Sequence, residues 1–254
     1  MEANEILTIV KRVQQTSGTG YTPPETPLQE CGLNNVDCPV CHNSGYVIVK
    51  KEDGTISAHP CECMAKRVSI RNLERSGLKD MIRRYTFDNY VADTPARIAT
   101  KKAALDFCMG PYSPAWWYIS GRSGSGKTHI CTAICSRLMN QGKAVRYMLW
   151  RDATAELKSF VMDGEEYQER IRPLKKVAVL YIDDFLKGGC TEADLRLAFE
   201  ILNARYNNMK LRTIISSERP IGDIMNLDEA LGGRIYERAK LYVRKAPPEN
   251  WRMR

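Results

Sequence analysis

The chain has 254 residues, 43% hydrophobic and 27% charged, with a formal net charge of +8. That length suits one large domain with a small appendage, and no apolar run is long enough to span a bilayer. Nine cysteines beside an N-terminus bearing Glu2 and Glu5, without a secretory leader pattern, predict a cytoplasmic protein with reduced thiols and exclude a disulfide framework.

The charge is unevenly spread. Residues 1–85 carry +1 and residues 86–254 carry +7, so the second part is the one suited to nucleic acid. Ile6 to Val13 is predicted as a short helix, with Ile6, Ile9, Val10 and Val13 on one face. Residues 14–30 are rich in Pro, Gly and Thr and read as a linker.

Cys38-Pro39-Val40-Cys41 and Cys61-Glu62-Cys63 then flank a predicted hairpin, with Tyr46–Val49 as one strand and a polar turn at Glu52–Thr55. Two cysteine pairs across a hairpin are how a tetrahedral thiolate zinc site is built, and in so small a segment the metal supplies much of the folding free energy. Cys38, Cys41, Cys61 and Cys63 are the expected ligands. Cys31, His42 and His59 lie close enough in sequence for a mixed set. A basic helix over Lys66–Leu78 follows, and Tyr85-Thr86-Phe87-Asp88-Asn89-Tyr90 marks entry into the second domain. Ala96–Met109 is a further helix.

Gly121-Arg122-Ser123-Gly124-Ser125-Gly126-Lys127-Thr128 matches the phosphate-binding P-loop. It sits between an apolar strand, Trp116–Ile119, and a helix over His129–Met139. Glycine permits the positive φ that wraps phosphates, and free helix-end N–H groups face them. ATP is expected on Gly121, Ser123, Gly124, Ser125, Gly126, Lys127, Thr128 and His129. Lys127 reaches the β- and γ-phosphates and the Thr128 hydroxyl ligates Mg²⁺.

A strand over Ala144–Leu149, a helix over Asp152–Met162 and a polar helix over Glu165–Arg172 come next, the last stopped by Pro173. Val177–Ile182 is continuously apolar, as a strand buried on both faces is, and it ends in Asp183-Asp184. Acids at the carboxyl edge of such a strand sit where open α/β sheets bind ligands. Asp183 would hold Mg²⁺, and Asp184 would polarise the attacking water. Thr191–Asp194 caps a long helix. Strands are expected over Arg212–Ser217 and Leu241–Arg244. The predicted architecture is α/β: a five-stranded parallel sheet with flanking helices, preceded by a small cysteine module. The expected division is 1–30 (helix and linker), 31–84 (zinc domain) and 85–254 (ATPase domain).

From about residue 85 onward the chain resembles the AAA+ ATPases of the DnaC/DnaI helicase-loader and IstB transposition-helper family. The P-loop, the Leu180-Tyr181-Ile182-Asp183-Asp184 motif, a strand ending Ser216-Ser217, and Gly232 to Arg238 carry the likeness. The cysteine segment is similar to that of DnaI-like and phage-encoded loaders. The resemblance implies ATP hydrolysis, slow and switch-like, with Lys127, Asp183 and Asp184 as its machinery. Arg238 is the implied arginine finger acting in a neighbouring subunit, with Arg234 one turn earlier. Ser217 or Glu218 falls at the sensor-1 position, Glu218 departing from the usual Asn, and Arg252 or Arg244 at sensor 2. Implied partners are a replicative DNA helicase bound through the zinc module, single-stranded DNA, and further copies of the chain through the ATPase domain. IstB-like transposition help, or a non-hydrolysing nucleotide-gated adaptor, are the alternatives.

Overall fold

The computed structural model describes residues 38–50, 55–75, 79–110 and 116–251. The expected helix over 6–13, the linker over 14–30, Cys31 and Arg252 lie outside the described residues. The chain packs as two compact units, Met1–Arg67 and Val68–Arg254.

In the first unit β1 (Tyr46–Lys50) pairs antiparallel with β2 (Ile56–Pro60), Tyr46 opposite Pro60 and Val49 opposite Ser57. The hairpin read from the sequence is therefore present. Helix α1 (Cys63–Arg75) begins at Cys63, the last of the four candidate zinc ligands. Its sequel α2 (Lys79–Arg84) and α3 (Pro95–Met109) precede the sheet. Thr94 caps α3 through its hydroxyl, and Pro95 stands at the first helical turn, where its missing N–H costs nothing.

The second unit is built on a five-stranded, wholly parallel sheet: β3 (Trp116–Ser120), β4 (Val145–Leu149), β5 (Val179–Asp183), β6 (Arg212–Ser217) and β7 (Val243–Lys245), in the spatial order β4-β5-β6-β3-β7. The helices between them are α4 (Lys127–Asn140), α5 (Trp150–Ser159), α6 (Gly164–Lys176), α7 (Glu192–Tyr206), α8 (Ile221–Leu227) and α9 (Glu229–Ala239). Strand alternation divides the core into two layers. Trp116, Tyr118, Leu180, Ile182 and Ile215 pack with α7, α9 and parts of α5 and α6. Trp117, Ile119, Val179, Tyr181 and Ile214 pack on the opposite face with α3 and α4. All five residues of β3 and of β5 are buried, which is why both read as unbroken apolar runs.

Pro173 does not end its helix: α6 continues to Lys176. Ile171 and Leu174 are buried, anchoring the last turn. The Arg205 guanidinium donates to the carbonyls of Leu174 (3.0 Å) and Val177 (2.9 Å), satisfying acceptors that a helix end leaves open. Thr191 and Asp194 form the expected reciprocal capping box at the start of α7. Among the described residues no helix is long and apolar enough to cross a membrane.

Candidate functional site

The phosphate loop joins β3 to α4. Gly124 (φ +77°) and Gly126 (φ +88°) occupy the left-handed region, and Gly126 is the N-cap of α4. A side chain at Gly124 would be strained by this φ, and its Cβ, 2.0 Å from Asn250 Oδ1, would have to displace that side chain. The Trp251 amide donates to the Gly124 carbonyl (3.0 Å), seating the segment after β7 on the loop.

Buried Lys127 donates from Nζ to the carbonyls of Gly121 (2.8 Å) and Arg122 (2.9 Å). Burial pulls its pKa down, and the nearby Asp184, Glu218 and Asp183 push back. Thr128 Oγ1 donates to the Asp183 carboxylate, at 3.4 Å from Oδ2. A hydroxyl and a buried carboxylate so placed could hold an Mg²⁺ ion. Tyr147 donates to Asp183 Oδ2 (3.3 Å), and burial pushes its phenol up, so it stays a donor. Ser123 to His129, with Asp184, Lys187, Tyr85, Tyr90, Arg97 and Trp251, surround a cleft of 310 Å³. His129 Nε2 lies 3.0 Å from the Thr86 carbonyl, and its ring stands between those of Tyr85 and Tyr90. Burial lowers its pKa, favouring the neutral imidazole.

The residue after Asp183 turns sharply: Asp184 has φ +53°. Its carboxylate pairs with Lys187 Nζ (2.9 Å), which also reaches Glu218 (3.2 Å). Sequence reasoning placed the sensor at Ser217 or Glu218. Ser217 instead points away, donating to the Phe185 carbonyl (2.8 Å), whereas Ser216 donates to Asp183. Strand alternation was the signal available for choosing Ser216. Lys187, Tyr147, Arg97 and Trp251 carry no motif and were missed.

Arg238, the implied finger, faces inward. It is 3% exposed, packs beside Trp116 and Tyr206, and donates to the Tyr206 carbonyl. The helix α9 turns it inward with Leu231 and Ile235, a placement set by the 3.6-residue period. Arg234 lies over the Phe199 ring and donates to Asn203 and Ala230. Arg244 donates to the carbonyl of Val243.

In the first unit the sulfurs of Cys38, Cys41, Cys61 and Cys63 all lie within 4.8 Å of one another. Cys38 and Cys61 are 3.7 Å apart, Cys41 and Cys63 3.4 Å. Four sulfurs around zinc at about 2.3 Å stand about 3.8 Å apart, so the set fits that ion. His42 and His59 are exposed, and His59 bonds Ser57, so neither joins the cluster. The Gly45 amide (3.4 Å) faces Cys41 Sγ, and buried Arg67 donates to Cys63 Sγ (3.4 Å). Burial opposes ionisation of Cys38, yet the amides of Cys41 and Val40 prevail and lower it to about 7. Burial pushes Cys63 up to about 12. Zinc bound there would hold all four as thiolates.

The family described as "IstB-like ATP binding protein" matches residues 64–240. YqaM of Bacillus subtilis is 30% identical over 72% of this chain, which spans only 61% of YqaM. XkdC, from the phage-like element PBSX of the same organism, is 30% identical over 84% of each chain. The replicative helicase loader DnaC of Escherichia coli is 26% identical over 76% of this chain and 78% of its own. The crystal structure of DnaI superposes with a TM-score of 0.56 at 20% identity, over 67% of this chain and 92% of that one. The order β7-β3-β6-β5-β4, with the phosphate loop after β3 and the acids at the end of β5, is an AAA+ arrangement, and the chain belongs to the IstB-like ATP-binding family, related to the helicase loader DnaC and sharing the fold of DnaI.

Proposed function

We propose that the chain is an ATP-dependent loader of a replicative DNA helicase onto single-stranded DNA. The observation that carries this is the placing of Lys127 and Thr128 on one cleft, with Thr128 bonded to Asp183 behind it, in a chain related to a protein named as a helicase loader. ATP with Mg²⁺ occupies the cleft. Lys127 takes the β- and γ-phosphates, Thr128 and Asp183 hold the metal, and Asp184 accepts a proton from the attacking water. Zinc on the four cysteines folds the first unit, which takes the helicase. The +7 charge of residues 86–254 suits the DNA. ATP favours DNA contact and self-association in the cytoplasm, and hydrolysis releases the helicase.

The family match favours a second reading, an IstB-like helper that carries a transposase to duplex DNA. Full-length protein immobilised with MgATP should retain the replicative helicase of its host and single-stranded DNA, the latter weakening steeply with salt. Retention of a transposase and duplex DNA instead establishes the second reading.

A further inference from the structure

Asp183 closes β5 and is 5% exposed. The terminal torsion of an aspartate is broad and two-fold, so a carboxylate that must offer a lone pair in one direction needs support from its neighbours. Thr128 does not give it. Its Oγ1 stands 3.5 Å from Oδ1 and 3.4 Å from Oδ2, favouring neither oxygen. Oδ1 is held by the Ser216 hydroxyl, from β6, and by the Asp184 amide (3.2 Å). Oδ2 is held from the other side of the strand, by the Tyr147 hydroxyl (3.3 Å).

The register of the sheet brings Tyr147 there. β4 and β5 run parallel, with Tyr147 beside Tyr181 and Leu149 beside Asp183. Side chains two residues apart on a strand share a face, so Tyr181 and Asp183 both lie on the side covered by α4. Tyr147 is on that face too, and Asp183 is its diagonal neighbour, a separation that an aromatic side chain can span. The Tyr147 ring meets the Tyr181 ring edge-on, with centroids 5.3 Å apart. That contact fixes a side chain with only two torsions and delivers its hydroxyl to one place.

We propose that Tyr147 is a positioning residue of the nucleotide site: by holding Asp183 Oδ2 it fixes the plane of the carboxylate and makes the site select Mg²⁺ over larger divalent cations. The proposal rests on the reading of Thr128 and Asp183 as the residues that hold Mg²⁺. That ion demands near-ideal octahedral geometry, whereas Ca²⁺ accepts ligands over a wider range of number and distance. A carboxylate held at both oxygens meets the stricter demand. Held at Oδ1 alone it can swing, a change that Ca²⁺ tolerates and Mg²⁺ does not. Removing a group that orients a metal ligand typically costs about 10–100-fold in metal affinity. Neither the phosphate-loop motif nor Leu180–Asp184 specifies a residue on β4, so the register alone assigns Tyr147 this part.

The test uses full-length wild-type and Tyr147→Phe proteins with a fluorescently labelled, non-hydrolysable ATP analogue, its affinity measured in EDTA, in Mg²⁺ and in Ca²⁺. Tyr147→Phe removes the hydroxyl and keeps the ring against Tyr181. In wild type, Mg²⁺ should strengthen binding more than Ca²⁺ does. In Tyr147→Phe the strengthening by Mg²⁺ should fall about tenfold, while that by Ca²⁺ and the affinity in EDTA stay within about twofold of wild type. Undiminished strengthening by Mg²⁺ in the variant overturns the proposal. So does an equal loss with both ions, which leaves Tyr147 no part in selection. Loss of binding in EDTA also overturns it, making the hydroxyl structural. Wild-type protein that gains equally from both ions overturns it without any variant, while the Mg²⁺ reading of Thr128 and Asp183 stands. Wild-type protein whose affinity is the same in EDTA and in Mg²⁺ overturns that reading, and the proposal with it.

Discussion

The Ser216 hydroxyl donates to the Asp183 carboxylate and accepts the Asp184 amide (3.2 Å), tying the end of β6 to both acids at the end of β5. Its neighbour Ser217 serves the other side of the strand. Ser216→Ala should therefore weaken Mg²⁺-dependent nucleotide binding and lower turnover about tenfold. Ser217→Ala should leave catalysis near normal and cost about 1–2 kcal/mol of stability, because it leaves a buried carbonyl unpaired. Steady-state kinetics with a thermal melt of each variant separates the two effects.

Lys127→Ala should abolish tight binding of ATP and ADP alike, since it removes the one cation on the phosphate loop's inner face. Asp184→Asn should retain binding yet lose turnover, as an amide accepts no proton. Titration with a labelled nucleotide beside a phosphate-release assay shows whether the two functions part as expected. Normal turnover in Asp184→Asn would move the base elsewhere, to Glu218 first.

The cysteine cluster should hold about one zinc per chain. Protons compete with the metal for thiolates, so zinc should be retained at neutral and alkaline pH and released on acidification. A colorimetric zinc indicator followed against pH tests this. Metal-free protein from a chelator-free preparation would sink the assignment.

Arg205 is a fully buried cation with no carboxylate partner among the described residues. It donates to Thr213 Oγ1 (3.0 Å) and to the carbonyls of Leu174, Val177 and Arg212. Burial lowers its pKa to about 9. Arg205→Met should cost about 3–5 kcal/mol, because those acceptors lose their donors together. A fall in melting temperature of roughly 10 °C or more follows for a unit of this size, and a fall of under 3 °C would refute the account.

The sheet and the nucleotide cradle were legible because each rests on local chemistry. An apolar run with no charge until Asp183 can only be a strand covered on both faces, and Gly124 and Gly126 mark the two turns that need positive φ. Pro173 misled because a single missing N–H is a small loss when Ile171 and Leu174 are buried and Arg205 caps the end. That arginine comes from a helix beyond β5, so nothing near Pro173 announces it. Arg238 fitted a motif spacing, but spacing does not say which helix face meets the core. Lys187 and Trp251 escaped notice for a related reason. Their meaning lies in which strand end or loop they return to, and only the folded backbone records that.

The seating of residues 246–251 on the phosphate loop has an optical consequence. Of the four tryptophans, Trp116, Trp117 and Trp150 are at most 2% exposed, while Trp251 is half-buried at the cleft, with its amide on Gly124 and Arg97 against its ring. The three buried indoles emit from a constant apolar surrounding. Any change in intrinsic fluorescence on adding nucleotide therefore belongs to Trp251, and Trp251→Phe should silence it. The molecule carries its own unlabelled reporter of cleft occupancy, readable in a stopped-flow instrument without modifying the protein.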